Sequence, residues 1–372
     1  MQIHYYAKQE DAPAELAAQL RPINRRGFQL GWVSEQQRPQ MPDAEVVKSR
    51  WQQDKAVMLP GLLDLKPFES HIEQAHRLME QTLLAEEVSP QIEQAPYTAQ
   101  LAEHFPFVAS LIEEHDDQGI EKLYFDAEVD GEVVAEDLWC KASWLSYHDE
   151  DASLRFRFSF GMEGYEDVAA DPDRQHWAGG LCDALFPESA AITKNDRINA
   201  LMRQVLGSEP AYVERIVYFN APNGGAQMHH DVERGHDGVV FAQLSGSTFW
   251  LALAKPVLMD ELQRFTSDEK QADAIKSVIP SRADRNELQQ LLTDRQAMSD
   301  YLEEYDHELL EAVMDRLPAF TEYLLARGYG YILHAGDVLL MPQRDLDNCV
   351  WHSVICLGDE PGEALSFAVR GQ

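Results

Sequence analysis

Apolar and polar positions follow two different rhythms along the chain, and the change from one to the other divides it. Over roughly the first 130 residues the apolar positions recur at helical spacing. In "LKPFESHIEQAHRLMEQTLLAEE", Phe68, Ile72, Ala75, Leu78 and Leu83 fall near one side of a helix. Prolines and charge clusters punctuate the rest, so residues 1–130 are expected to form a mostly helical N-terminal region. From about residue 131 the period drops towards two. "GEVVAEDLWCKASWLSY", "LRFRFSFG" and "AYVERIVYFN" are rich in aromatic and β-branched residues and predict strands, as do "GAQMHHDV", "GVVFAQL" and "STFWLALA".

The helical rhythm then returns. "SDYLEEYDHELLEAVMDRL" puts Leu302, Tyr305, Leu309, Val313 and Leu317 on one face, and Pro318 opens a further helix that Gly328 closes. Strands resume at "GYILHAGDVLLMP", "CVWHSVICL" and "EALSFAVRG". The expected fold is mainly β with α. Residues 131–372 form a domain of short strands, interrupted by a helical insertion at about 257–328. Many short strands with Gly-containing turns predict an antiparallel sandwich or barrel.

Composition narrows the partners. At 372 residues, 45% hydrophobic and 26% charged, the chain has enough apolar material for a large core. Its net charge of −33 repels phosphate backbones, so no nucleic-acid partner is expected; a soluble protein, or one that meets cationic partners such as basic peptides, fits better. The start, "MQIHYYAKQEDAPAEL", lacks the pattern of a secretory signal, and no apolar run approaches the ~18 residues of a membrane span. Cys140, Cys182, Cys349 and Cys356 are scattered without a CxxC pair, which suits reduced thiols in a cytoplasm.

A search for chemistry leads to His-x-Asp/Glu pairs. About two are expected by chance with this many histidines and acids, and the chain has four. His71 and Glu73 lie in a predicted helix, where positions two apart do not share a face. His115 and Asp117 stand in the acidic run "EEHDD", and His148 and Glu150 in a turn with no later histidine at a matching strand end. His229 and Asp231 close a predicted strand, on which Gln227, His229 and Asp231 share one face while Met228 and His230 take the other. A distant strand then delivers His352 in "GDVLLMPQRDLDNCVWHSV". Two histidines and a carboxylate leave three positions of an octahedral ion open, the arrangement of non-haem Fe(II) oxygenases. No cysteine stands at these positions to suggest structural zinc. Competing motifs are missing: no G-x-S-x-G, no G-x-x-x-x-G-K-[ST], no H-E-x-x-H.

The succession "VYFNAPNGGAQMHHDVERGHDGVVFAQLSGSTFWLALAKP", "GDVLLMP" and "WHSV" resembles the cupin-like and JmjC-type branch of the Fe(II)- and 2-oxoglutarate-dependent oxygenases over about 211–256 and 330–372. The resemblance implies a double-stranded β-helix, a jelly-roll of two facing sheets. It implies iron on His229, Asp231 and His352, with 2-oxoglutarate and O₂ as co-substrates. An acid at Asp231, where a halogenating relative would have Gly or Ala, implies a hydroxylase. Two departures stand out. Many members carry a lysine after "FAQ…G" for the far carboxylate of 2-oxoglutarate, whereas this chain reads "SGSTFW", with Thr248 near that place. The loop "QRDLDNCVW" before His352 is also longer than usual. Other branches use an arginine on the last strand, and in "EALSFAVRGQ" Arg370 alternates with Ser366 and Ala368, which makes it the expected replacement. Tyr218 and Asn220 share a face on the strand before the turn, and Tyr218 is a further candidate for contact with the co-substrate. The implied substrate is a peptide or protein side chain or a small metabolite, and the resemblance extends to a homodimer formed through the helices. The alternative is a metal-binding cupin that does not use 2-oxoglutarate, or a binding scaffold that has lost catalysis.

Overall fold

The computed structural model describes residues 2–372 apart from 26, 27, 103, 113–118, 145–154, 165–170, 234, 305 and 306. Its described strands make three antiparallel sheets. The first holds β1 (Gln2–Tyr6), β2 (Arg21–Arg25) and β3 (Phe28–Gln37) in the order β1–β3–β2. Then come β4 (Val57–Leu59), β5 (Phe107–Ile112), β6 (Ile120–Val129), β7 (Glu132–Ser143) and β8 (Arg155–Met162). The region expected to be mostly helical is therefore mixed. Its helices include Ala44–Gln52 and Glu69–Ala85, with Ile72, Ala75 and Leu78 buried on the latter. The strands were missed because distant packing decides their apolar positions: Ile23, Leu30 and Val33 are buried against the helical insertion.

Eight strands follow in the second half: β9 (Pro210–Asn220), β10 (Gly225–His229), β11 (Gly238–Gln243), β12 (Ser247–Ala254), β13 (Gly330–His334), β14 (Val338–Pro342), β15 (Val350–Cys356) and β16 (Gly362–Gly371). The chain passes between two sheets as it runs. β14–β11–β16–β9 form one wall and β10–β15–β12–β13 the other, which is the winding of a double-stranded β-helix. The first wall is widened to nine strands by β4 at one edge and by β8–β7–β6–β5 at the other.

Each wall buries both faces, so these strands read as apolar runs and not as strict alternations. Phe241, Trp250, Tyr331 and Leu339 fill the barrel. Phe156, Phe158, Phe219 and Phe367 pack the outer face of the large sheet against the N-terminal helices. Phe249, Leu251 and Leu253 pack the outer face of the small sheet against Phe265 and Phe320 of the insertion. Those helices run from Lys255–Ser267 to Pro318–Ala326, between β12 and β13. The segment read as one helix around Leu309 is two, since one helix ends at Leu302 and the next begins at Glu308; Tyr305 lies outside the described residues.

Candidate metal centre and its cleft

His229 is the last residue of β10, and it pairs directly with His352 of β15. Close approach of the two strands depends on Gly225, whose φ is +149° and where any Cβ would collide with the Val354 carbonyl. A bulge between Ala226 and His229 then resets the register. The insertion fixes this strand from outside: the Met228 N–H donates to Asp315 Oδ1 at 3.0 Å, on the helix Glu308–Arg316.

The two imidazole centroids lie 4.3 Å apart. His229 Nδ1 sits 2.6 Å from the Gln227 carbonyl and His352 Nδ1 3.4 Å from that of Val350, so each ring keeps its proton on Nδ1. Their Nε2 atoms both turn to Asp231, at 3.4 Å from Oδ1 for His229 and 3.4 Å from Oδ2 for His352. One ligand atom from each of the three lies within 4.8 Å of the others. Bonds of about 2.1 Å to an octahedral ion would put neighbouring donors about 3 Å apart, so little movement is needed to enclose one. In this tautomer all three groups are acceptors converging on one point without a donor among them, which is the electrostatic condition for a cation.

Ionisation agrees with this. Burial opposes a charge on Asp231, but a proton on His352 or His229 would hold its carboxyl well below the usual range, so the acid ionises before either imidazole loses its charge. Burial, reinforced by His229, pushes His352 down to about 4, so it is neutral, the ligating form, at neutral pH. Trp250 stacks on the His352 ring at 5.3 Å, and its Nε1 donates to Thr248 Oγ1 at 2.8 Å. Thr248 donates in turn to Gln243 Oε1 at 2.8 Å. This chain of bonds fixes the plane against which His352 rests.

Two spaces meet at the triad. A wide cleft of about 610 Å³ opens outward, and a recess of about 30 Å³ runs into the barrel. Tyr218 and Ser366 border both, and Asn220 borders the recess. Gln227 lines the cleft. Thr248 lines neither; it is buried, with its hydroxyl engaged by Gln243 and Trp250. Arg370 is not brought to the triad either. Ser366 and Ala368 do face inward as their alternation predicts, but a bulge follows between Ala368 and Val369, and Arg370 ends up opposite Ala211 on the last rungs of β16. There it lines a separate cleft with Arg203, Glu209 and Tyr212, and its guanidinium lies beside Gly235.

The other histidines have different surroundings. His230 points away from the triad to Glu303 at 2.8 Å, which also holds the buried Lys255 at 2.6 Å. His334 pairs with Glu35 at 2.8 Å. The pair His71/Glu73 lies on the helix Glu69–Ala85, and the pairs His115/Asp117 and His148/Glu150 lie outside the described residues. On the loop before His352, Asp345 caps Asn348 at 2.8 Å, and Arg344 pairs with Asp54.

Sequence reading missed several groups in the cleft. Lys141 and Arg157 reach it from β7 and β8, and Glu214, Glu233 and His236 form a second converging set on its wall. Burial, with Glu233 and Asp231 nearby, pushes Glu214 up to about 7 against the pull of Arg157. The signal for Arg157 was present in "RFRFSF", where Phe156, Phe158 and Phe160 are buried on one face and Arg157 and Ser159 must take the other.

No protein-family model and no curated protein matches the chain. Among solved structures it is similar to an oxidoreductase of the 2OG-Fe(II) oxygenase family from Burkholderia pseudomallei, at 10% identity and a TM-score of 0.33 over 90% of this chain and 93% of that one. It is similar to the ribosomal oxygenase YcfD of Escherichia coli, at 12% identity and 0.30 over 90% and 53% of the two chains. It is also similar to HygX from Streptomyces hygroscopicus, solved with nickel, 2-oxoglutarate and hygromycin B bound, at 10% identity and 0.31 over 87% and 86%. Each is a remote likeness in both sequence and superposition.

Proposed function

We propose that this chain is an Fe(II)- and 2-oxoglutarate-dependent oxygenase that hydroxylates a C–H bond, with His229, Asp231 and His352 as the metal ligands. The observation that carries the reading is the convergence of two Nε2 atoms and one carboxylate at the floor of an open cleft, with no donor among them. Bound there, iron and 2-oxoglutarate supply the activation of O₂. The protein's own residues do the rest. The backbone carbonyls of Gln227 and Val350 keep both ligating nitrogens free of protons, and Asp231 contributes the negative charge that favours a divalent ion. Trp250, Phe241 and Met341 close the barrel beneath the triad and keep bulk water from that side. A substrate enters by the wide cleft. Glu214 and Glu233 on its walls suit a positively charged group near the target carbon, such as a basic side chain of a peptide or a cationic metabolite. The four cysteines are buried and free, which suits a reducing compartment such as the cytoplasm.

A second reading keeps the metal without 2-oxoglutarate. Its support is the recess, which at about 30 Å³ holds little more than a water and has no lysine or arginine among the described residues of its walls. One titration separates the two. Fe(II) and then 2-oxoglutarate are added to the apo-protein without oxygen, and the weak visible charge-transfer band of the chelate is followed in the wild type and in His352→Ala. The expected result is a band in the wild type that the substitution abolishes. Tight Fe(II) binding with no band at any 2-oxoglutarate concentration would leave the second reading in place.

A further inference from the structure

The far carboxylate of a chelated 2-oxoglutarate needs a cation, and among the described residues the interior of this barrel offers none. The recess beyond the metal is bounded by Phe241, Trp250, Met341 and Val354 with the polar Tyr218, Asn220 and Ser366, and Trp250 occupies the space beside His352. Thr248, near the place where relatives carry a lysine, is buried and engaged by its neighbours. Arg370 faces another cleft. A dicarboxylate bound at the triad therefore has to run outward.

In that direction the described lining contains two permanent cations, Lys141 and Arg157. Both belong to strands added to the barrel's edge. Arg157 of β8 pairs in register with Tyr218 of β9, the residue that borders both the recess and the cleft. Neighbouring strands lie about 4.8 Å apart, so the long side chain of Arg157 needs to cross only one strand to reach the mouth of the barrel. Lys141 pairs with Ser159 on the next strand, and both residues line the same cleft. Both cations are half-buried, and among the described residues neither makes a salt bridge. Glu214, on the neighbouring strand β9, feels Arg157 without forming a salt bridge with it among the described residues. A half-buried guanidinium with no carboxylate paired to it among the described residues suits a carboxylate brought by a ligand.

Resting on the reading proposed above, we infer that Arg157, supported by Lys141, anchors the far carboxylate of 2-oxoglutarate bound at the His229–Asp231–His352 centre. The anchor then comes from an accessory strand outside the eight that form the barrel, and the co-substrate lies along the barrel's mouth.

The test measures binding without turnover. Wild type, Arg157→Met, Arg157→Lys and Lys141→Met are loaded with Ni(II) and titrated by calorimetry with 2-oxoglutarate. Each is also titrated with pyruvate, which chelates through the same keto-acid end but has no far carboxylate. Loss of a charge-assisted contact predicts that Arg157→Met weakens 2-oxoglutarate by roughly 10- to 100-fold while pyruvate changes less than about twofold. Arg157→Lys should recover part of that loss, and Lys141→Met should cost only a few-fold. Melting temperatures confirm that each variant is folded. Wild-type affinity for 2-oxoglutarate in a folded Arg157→Met overturns the inference and assigns Arg157 to a carboxylate of another molecule. An equal loss of 2-oxoglutarate and pyruvate also overturns it, because the residue would then be shaping the metal centre. If wild type itself binds pyruvate and 2-oxoglutarate equally weakly, the co-substrate reading fails and the inference fails with it.

Discussion

Two groups of histidines and carboxylates lie on opposite sides of β16, and they are neutralised in different ways. Inside the barrel two imidazoles face one carboxylate beside an open cleft. Outside it, Glu363 of β16 meets Glu188, with His76 Nε2 at 3.9 Å from Glu363 Oε2, and both acids are fully buried. His76 is bonded to Ser245 Oγ at 2.8 Å, and burial lowers its pKa, so it brings no charge to offset the acids. Among the described residues no side chain outside the pair donates a hydrogen bond to its four carboxyl oxygens. Burial first, and then their mutual repulsion, raises the pair as a unit, so the two acids share a proton. Similar side chains thus reach opposite ends. A sealed pocket with two acids takes up a proton to halve its charge, whereas an open one with one acid and two neutral imidazoles calls for a metal ion.

The largest effect that would break this comparison concerns the metal. At 100 times its dissociation constant a bound ion adds about 2.7 kcal/mol to stability, so Ni(II) should raise the melting temperature by several degrees and a chelator should reverse the rise. Partners one shell out from a metal are worth about 10- to 100-fold in affinity, so loss of a ligand in Asp231→Ala should cost more than about 100-fold. Glu363→Gln should leave metal affinity unchanged. A metal-induced rise that survives Asp231→Ala but disappears in Glu363→Gln would place the ion in the wrong cluster.

The next effect sharpens the other half. The outer acids have folded-state pKa values raised above their unfolded ones, so the folded protein binds more protons between the two. Their contribution to stability is complete below the unfolded carboxylate range, near pH 4, and is lost as pH rises through the folded values. Glu363→Gln keeps a donor towards Glu188 and removes the charge. It should therefore gain about 1–2 kcal/mol over wild type at pH 8, with the difference vanishing below about pH 4. Denaturant unfolding across that range checks the sign. Parallel curves for the two proteins would mean that no proton is shared.

How much of this was legible in the sequence depends on how local each feature is. The barrel strands show in the sequence because their apolar runs are dictated by burial on the spot, and His229 and His352 show because each stands at a strand end. Arg157 was within reach, since alternation with three buried phenylalanines leaves it one face. The Glu188–Glu363 pair was not, because it joins the turn Pro187–Ser189 to β16 across the outer face of a sheet, a contact that no periodicity reports. Strands β1–β3 were hidden for the same reason: burial of Ile23, Leu30 and Val33 against the distant insertion, not local propensity, supports them.

Arg370 is the case where alternation misleads, and it gives the smallest predicted effect. Extending the inward face of Ser366 and Ala368 by one step puts a guanidinium in the barrel, an inference that holds only while the strand stays regular. The bulge after Ala368 ends that regularity at the rim, where the chain is already leaving the cleft; the Gly371 N–H donates to Asp237 Oδ2 at 2.8 Å there, and Arg370 turns to the cleft of Arg203 and Glu209. Arg370→Met should therefore change 2-oxoglutarate affinity by less than about twofold and stability by no more than about 0.5 kcal/mol, the ordinary scale of a surface substitution. Calorimetry on the Ni(II)-loaded variant, run beside Arg157→Met, makes the contrast direct. A tenfold loss in Arg370→Met with none in Arg157→Met would mean that the last strand reaches further into the barrel when ligand is bound, and that simple alternation had placed the anchor correctly.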